Sequence, residues 1–154
     1  MEFIEFFEFF GVGGVGRVYW WGDGMAKIER FEDIQAWQKA RLLVKEIYSI
    51  SNSGQFAKDF GLRDQIRRAA VSIMLNIAEG FARKTAKEFV QFLVIAHGSA
   101  AEVQAALYVA LDQQYINQEC FDALYNQAQE TSKMIMGFAR YLSKQQTQQT
   151  QKTQ

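Results

Sequence analysis

Apolar residues recur along this chain at alternating steps of three and four over four long stretches. That spacing keeps one face of an α-helix out of water. The first stretch runs from about Asp33 to Ser51, with Trp37, Ala40, Val44 and Ile47 on one face, and stops at Asn52-Ser53-Gly54, residue types that end helices. The second starts near Asp59 or Gly61 and carries Leu62, Ile66, Ala69, Ile73, Ile77 and Phe81. The third opens on Thr85-Ala86-Lys87-Glu88, a capping box in which the Thr hydroxyl and the Glu carboxylate satisfy orphan amides. It continues through Phe89, Phe92, Ala96, Ala100, Val103, Leu107 and Ala110. The fourth begins after Asn117 and turns Phe121, Leu124, Ala128, Ile135, Phe138 and Leu142 inward.

Steps of three and four are those of left-handed bundle packing, and short connections favour antiparallel neighbours. The pattern therefore predicts an all-α, antiparallel up-down-up-down four-helix bundle. The second helix has an apolar surplus: eight of the ten residues from Ala69 to Ala78 are apolar. More than one of its faces must avoid water, which predicts a homo-oligomer. Gly98 lies mid-helix among Ser99, Ala100 and Ala101. A glycine there costs ~1 kcal/mol relative to alanine, so a close approach by another helix is expected at that point.

Composition agrees with helices. The 154 residues suffice for one self-supporting core, and there are no prolines. The single cysteine, Cys120, excludes an internal disulfide and suits a reducing compartment. The bundle is expected over 25–144. Residues 1–24 read as an extension outside the domain: five phenylalanines among glutamates, a glycine string, then Tyr19-Trp20-Trp21. They are an over-long start, an added stretch, or an aromatic segment that docks on a partner. Three glutamates break the apolar run that a secretory signal or a membrane span needs, so no membrane association is expected. Gly11-Val12-Gly13-Gly14-Val15-Gly16 matches GxGxxG, but Arg17-Val18-Tyr19-Trp20-Trp21 follows instead of a helix start, so the phosphate-binding logic fails. Residues 145–154 hold only Gln, Thr and Lys and are expected to be disordered.

Charge changes the picture locally. The net charge is zero, yet 58–87 carries seven bases against three acids. Arg63, Arg67, Arg68, Arg83, Lys84 and Lys87 are the candidate RNA contacts, groups that neutralise phosphates in a salt-sensitive way. The bland counterpart is a solvated helix face with ion pairs such as Asp64 with Arg68.

Chemistry is harder to find. One histidine, His97, and one cysteine cannot build a metal site without several carboxylates, and no Glu stands three residues before His97. No cofactor is implied. His97 could pair with a serine such as Ser72, but a solitary His in an apolar helix reads better as a hydrogen-bonded core residue. Cys120 near a helix start could have a lowered pKa, and the duller reading, a half-buried apolar residue, is preferred. A polar stripe runs along the second helix, Arg68, Ser72, Asn76, Glu79 and Arg83, and Glu88, Ser99 and Glu102 fall on a comparable stripe on the third. Ser72, Asn76, Glu79, Glu88, Ser99 and Glu102 are thus candidates for an inter-helix polar network or a ligand pocket. The chain reads as non-catalytic; only Asn76, Glu79 and Glu102 would serve an enzyme.

Three stretches carry a resemblance: Phe31-Glu32-Asp33-Ile34 with Trp37-Gln38-Lys39-Ala40; Asp59 through Gly80; and Glu88-Phe89, Phe92-Leu93, Ile95-Ala96, Gly98-Ser99 and Glu102, followed by Tyr115-Ile116. With them the chain from Phe31 to Leu142 resembles the four-helix-bundle family encoded within intervening sequences of bacterial large-subunit (23S) ribosomal RNA genes. The resemblance implies a small cytoplasmic bundle assembled as a ring-shaped homo-oligomer, commonly a pentamer. That family is loosely similar to the accessory variability determinant of diversity-generating retroelements, which binds RNA and a reverse transcriptase. Two partner classes follow: structured RNA, or a protein that uses the chain as an adaptor or accessory subunit.

Overall fold

The computed structural model describes residues 28–152, with side chains described through residue 144. The expected extension, 1–24, lies outside the described residues. Four helices make up the domain: α1 (Gln35–Ile50), α2 (Phe60–Ala82), α3 (Ala86–Asp112) and α4 (Gln118–Lys152). Short 3-10 turns at Phe31–Asp33 and Phe56–Lys58 lead into α1 and α2.

Each start signal acts as its chemistry requires. The Asp59 carboxylate accepts from the Leu62 amide at 3.0 Å, and the Thr85 hydroxyl oxygen accepts from the Glu88 amide at 3.2 Å. Thr85 Oγ1 also donates to Glu88 Oε2 at 2.7 Å, and Asn117 Oδ1 accepts from the Cys120 amide at 2.9 Å. The three bonds to backbone amides satisfy first-turn donors that lack a partner within the helix, whereas the Glu88 carboxylate meets the Thr85 hydroxyl rather than the orphan amide the capping box predicts. Before α1, the Asp33 carboxylate accepts from the amides of Arg30 and Glu29, each at 3.0 Å. Those two bonds, the Arg30 bond first, hold its carboxyl below the ordinary value.

The four helices pack as a closed square, α1 on α2, α2 on α3, α3 on α4 and α4 on α1. With the short turn at 83–85 and the loop at 113–117, this is the antiparallel four-helix bundle the periodicity predicts. Its core runs from Ile34, Ala40, Leu43 and Ile47 through Ile66, Ile73 and Ile77 to Phe89, Leu93, Leu107, Ile135 and Leu142, all buried. In α1 the buried position is Leu43, with Val44 only half-buried, because the packed face includes Ala36 rather than centring on Trp37.

Three expectations change. The α4 backbone stays helical past Lys144 to Lys152, where the sequence predicts a structureless tail. Extending an existing helix needs no new nucleus, and the segment has no glycine or proline to stop it.

The apolar surplus of α2 is absorbed inside the chain, because α2 touches both α1 and α3. Ala69, Ala70, Ile73 and Ile77 are buried, Val71, Met74 and Ala78 half-buried, and Leu75 alone of that run of apolar residues is exposed. The close helix approach falls at Gly80, not at Gly98. A Cβ on Gly80 would lie 2.5 Å from Phe89 Cδ2 and 2.8 Å from Phe92 Cβ, whereas one on Gly98 meets nothing within 4 Å.

Candidate nucleic-acid interface

The six candidate bases do not form one patch. α2 rises ~1.5 Å per residue, so the sixteen positions between Arg67 and Arg83 put them about 24 Å apart, at opposite ends of the bundle.

At the α2 N-terminus the cations are held by the protein itself. The Arg67 guanidinium donates from Nε to Ser51 Oγ at 2.8 Å and from Nη2 to the Ser51 carbonyl at 2.9 Å. It also lies 4.6 Å from the centre of the Tyr48 ring. Ser51 is the C-terminal cap of α1, where a cation is favoured by the carbonyl-rich helix end. Arg67 therefore ties α1 to α2. Arg63 donates to Asp64 Oδ1 at 2.9 Å and to the Ala57 carbonyl at 3.1 Å, with its guanidinium over Phe60. Asp64 thus pairs with Arg63, not with Arg68 as helical spacing predicts. Arg68 is exposed and donates to Gln65 Oε1 at 3.0 Å. Asp59, Asp64, Asp112, Glu119 and Asp122 also belong to this end, so it is no attractive place for a polyanion.

The opposite end differs. Arg83, Lys84 and Lys87 stand at the turn between α2 and α3. Phe89 packs edge-on against Phe138, with centroids 5.2 Å apart, which brings the start of α3 beside the late turns of α4. Exposed Arg140 and Lys144 of α4 are thereby brought to the same end. Sequence reading missed both, because nothing local in α4 signals that its last basic residues meet a turn more than fifty residues upstream. Of the carboxylates here, Glu88 lies in the α3 cap, Asp33 accepts from backbone amides and Glu79 is paired with Arg83, while Glu29 and Glu32 also stand at this end. The Arg83 guanidinium also sits 4.8 Å from the Phe92 ring centre, which makes it partly structural.

The polar stripe resolves into separate pieces. Ser72 and Ser99 hydrogen-bond across the α2–α3 seam at 2.9 Å. Asn76 Nδ2 donates to the Ser72 carbonyl at 2.8 Å and to Ser72 Oγ at 3.0 Å, and Ser99 Oγ donates to the Ile95 carbonyl. Glu102 accepts from Gln65 Nε2 at 3.4 Å. With Ser72 opposite Ser99 in antiparallel register, Glu102 lies one turn toward the α2 N-terminus. Glu79 lies two turns the other way, so the two carboxylates are roughly 15 Å apart along the helix axis. Glu88 belongs to the α3 cap and is not in the seam. Glu79 and Glu102 are therefore not placed for joint acid–base work.

His97 pairs with Ser132 of α4, Nδ1 to Oγ at 2.6 Å, and not with Ser72. Cys120 is half-buried; burial first, and then the charges of Glu46 and Glu119, push its thiol above the ordinary value. That is the opposite of an activated nucleophile. Among the described residues no group of three or more His, Cys, Asp or Glu side chains could hold a metal ion.

At the acidic end the Tyr115 hydroxyl donates to Asp59 Oδ2 at 3.1 Å, and its ring stacks on Phe56 with centroids 5.4 Å apart. This clips the α3–α4 loop to the α2 cap. Burial, then the hydrogen bond to and the charge of Asp59, raise the Tyr115 pKa.

The family model described as "23S rRNA-intervening sequence protein" matches residues 32–137. Among solved structures, the chain is similar to a protein of unknown function from the S23 ribosomal protein family of Bacteroides thetaiotaomicron VPI-5482. The two share 25% identity and superpose with a TM-score of 0.63, over 68% of this chain and 97% of that one. No curated protein matches.

Proposed function

The chain belongs to the 23S rRNA-intervening sequence protein family, and on that premise we propose that it is a non-catalytic, cytoplasmic RNA-associated protein whose basic end takes the phosphate backbone. The observation that carries this reading is the meeting of Lys84 and Lys87 from the α2–α3 turn with Arg140 and Lys144 from α4 at one end of the bundle. Lys87, Arg140 and Lys144 are exposed and have no ion-pair partner among the described residues. Long cationic side chains on a rigid helical platform neutralise phosphates without reading sequence. Arg63 and Arg67 drop out of the RNA-contact set, because their guanidinium groups already serve other elements of the fold.

The test is a titration of labelled structured RNA, ribosomal and unrelated, into the full chain at low and moderate salt. The expected result is salt-sensitive binding. The triple variant Lys87→Glu, Arg140→Glu, Lys144→Glu should flatten the salt slope by about 2–3, the loss of three phosphate contacts. Absence of binding at low salt overturns the reading and leaves a protein partner as the ligand class to pursue.

A further inference from the structure

α3 packs on α2 and α4, and its third side faces outward. That side carries Val94, Ile95, Gly98, Ala101, Ala105 and Tyr108, all exposed. Val94, Ile95 and Tyr108 are 50%, 51% and 51% exposed, and Leu75 of the neighbouring α2 is 62% exposed. Between the large residues at either end, Gly98, Ala101 and Ala105 leave a shallow apolar trough about 10 Å long. No described atom lies within 4 Å of where a Cβ on Gly98 would stand. A contiguous apolar patch bordered by polar residues marks an interaction surface.

The chain itself holds a segment of matching chemistry, outside the described residues. Phe3, Phe6, Phe7 and Phe10 recur at i, i+3, i+4 and i+7, the spacing that puts four rings on one face of a helix. Glu2, Glu5 and Glu8 fall away from that face. As a helix, Glu2 to Phe10 would measure about 12–14 Å, which fits within the roughly 21 Å from Val94 to Tyr108. Rings laid over residues with little or no side chain fill the trough at close packing.

The attachment point suits the same contact. Ile28, the first described residue, is 7% exposed, and the 3-10 turn after it packs on α1 and α2. Because α1 and α2 run antiparallel, this is the end of the bundle at which α3 begins. Gly98 lies about 18 Å along α3 from there. Seventeen residues, six of them glycine, separate Phe10 from Ile28. A tether of that length spans roughly 20–25 Å on average, which matches the gap. Such a tether holds its end at an effective concentration on the order of millimolar, well above that of a free partner. Charge agrees. Of the charged residues bordering the stripe, Glu79 is paired with Arg83 and Glu102 accepts from Gln65, while Lys87 is exposed on the same side of α3 two turns before Val94. Lys87 thus offers a counter-charge to the glutamates of the segment.

We infer that residues 3–10 dock back on the α3 stripe of their own chain, with the rings of Phe3, Phe6, Phe7 and Phe10 over Gly98, Ala101 and Ala105. The inference stands apart from the RNA reading, because the apolar stripe and not the basic end carries it.

The experiment attaches a nitroxide at Glu8→Cys in the full 154-residue chain, with Cys120→Ser removing the native thiol. It reads the methyl signals of isotope-labelled Ile, Leu and Val side chains, with far-ultraviolet circular dichroism on the same samples. Val94, Ile95 and Leu75 should lose most of their intensity relative to the reduced label, while Leu42, on the exposed face of α1, should keep its own. Phe6→Glu with Phe7→Glu lies outside the bundle and should restore the lost signals. Gly98→Leu should restore them as well, since leucine fills the trough and is a better helix former than glycine. Full intensity at Val94 and Ile95 overturns the inference, as does a loss that survives both sets of variants. A second sample mixes chains carrying only the nitroxide with chains carrying only the isotope, in urea, and refolds them together. A loss as strong there as in the doubly labelled chain would give the stripe to the segment of another molecule and overturn the inference too.

Discussion

Replacing Arg67 separates a structural cation from a phosphate contact. Its guanidinium makes two hydrogen bonds to Ser51, at 2.8 and 2.9 Å, and covers the Tyr48 ring at 4.6 Å. A hydrogen bond involving a charged group contributes ~1.5 kcal/mol at the low end of its range, and a half-exposed cation–π contact roughly 0.5–1 kcal/mol. The favourable charge at the α1 C-terminus adds about 0.3–1 kcal/mol. These contributions overlap, so Arg67→Ala should destabilise the bundle by about 2–3 kcal/mol. For a chain of this length that lowers Tm by about 4–12 °C. The assay is urea unfolding of wild type, Arg67→Ala, Ser51→Ala and the double variant. Ser51→Ala removes the Nε–Oγ bond but leaves the carbonyl acceptor, so the cycle should show a coupling of about 1 kcal/mol. RNA affinity should be unchanged in Arg67→Ala under conditions where the variant is folded. A coupling of zero, or lost RNA binding at undiminished stability, would refute the assignment of Arg67 to the fold.

Gly80→Ala should destabilise by about 1–2 kcal/mol, because overpacking against Phe89 and Phe92 outweighs the ~1 kcal/mol gain in helix propensity; urea midpoints of the two proteins check the sign. The raised Tyr115 pKa means that the folded state holds this proton more tightly than the unfolded chain. Its contribution should be complete below the ordinary tyrosine value of 10.0 and disappear as pH rises through the folded value. Melts between pH 9 and 11 should show that decline in wild type, and a shallower one in Tyr115→Phe. Asp33 has the opposite sign: its contribution should be present above 3.8 and fade as pH falls below it, a slope that Asp33→Asn should reduce in acid melts. Cys120 should react with iodoacetamide more slowly in the folded protein than in urea at the same pH, as burial and nearby carboxylates disfavour its thiolate. Equal rates would contradict that environment.

The helices were legible because their signals are local. Asp59, Thr85 and Asn117 cap within three residues of themselves, and apolar steps of three and four need no knowledge of partners. The choice between Leu43 and Val44 was not legible, since both fit the stripe of α1 and only its docking against α2 and α4 selects one. The basic site was half legible. Proximity in sequence grouped Arg63 with Lys87, but a helix is a spacer, and the length of α2 carries them to opposite ends. Arg140 and Lys144 reach the site through the antiparallel return of α4, which no local pattern encodes. The entropy argument applies to Gly98 as to Gly80, but the crowding inside the chain is at Gly80, and only tertiary packing distinguishes the two glycines.

The turn between α2 and α3 also bears on the order in which the chain assembles. Phe81 and Phe89 meet at 6.3 Å across a connection of only a few residues, and Gly80 lets their helices close at once. The α1–α4 contact between Lys39 and Glu130, at 3.7 Å, must by comparison close almost the whole domain. Loop-closure entropy grows with the logarithm of the enclosed length, so contacts beside the turn form earliest and the distant ones follow. Contacts beside this turn and beside the α3–α4 loop, where Tyr108 and Phe121 meet at 4.8 Å, are therefore expected to form before α1 closes on α4, an order that pulse-labelled hydrogen exchange reads amide by amide.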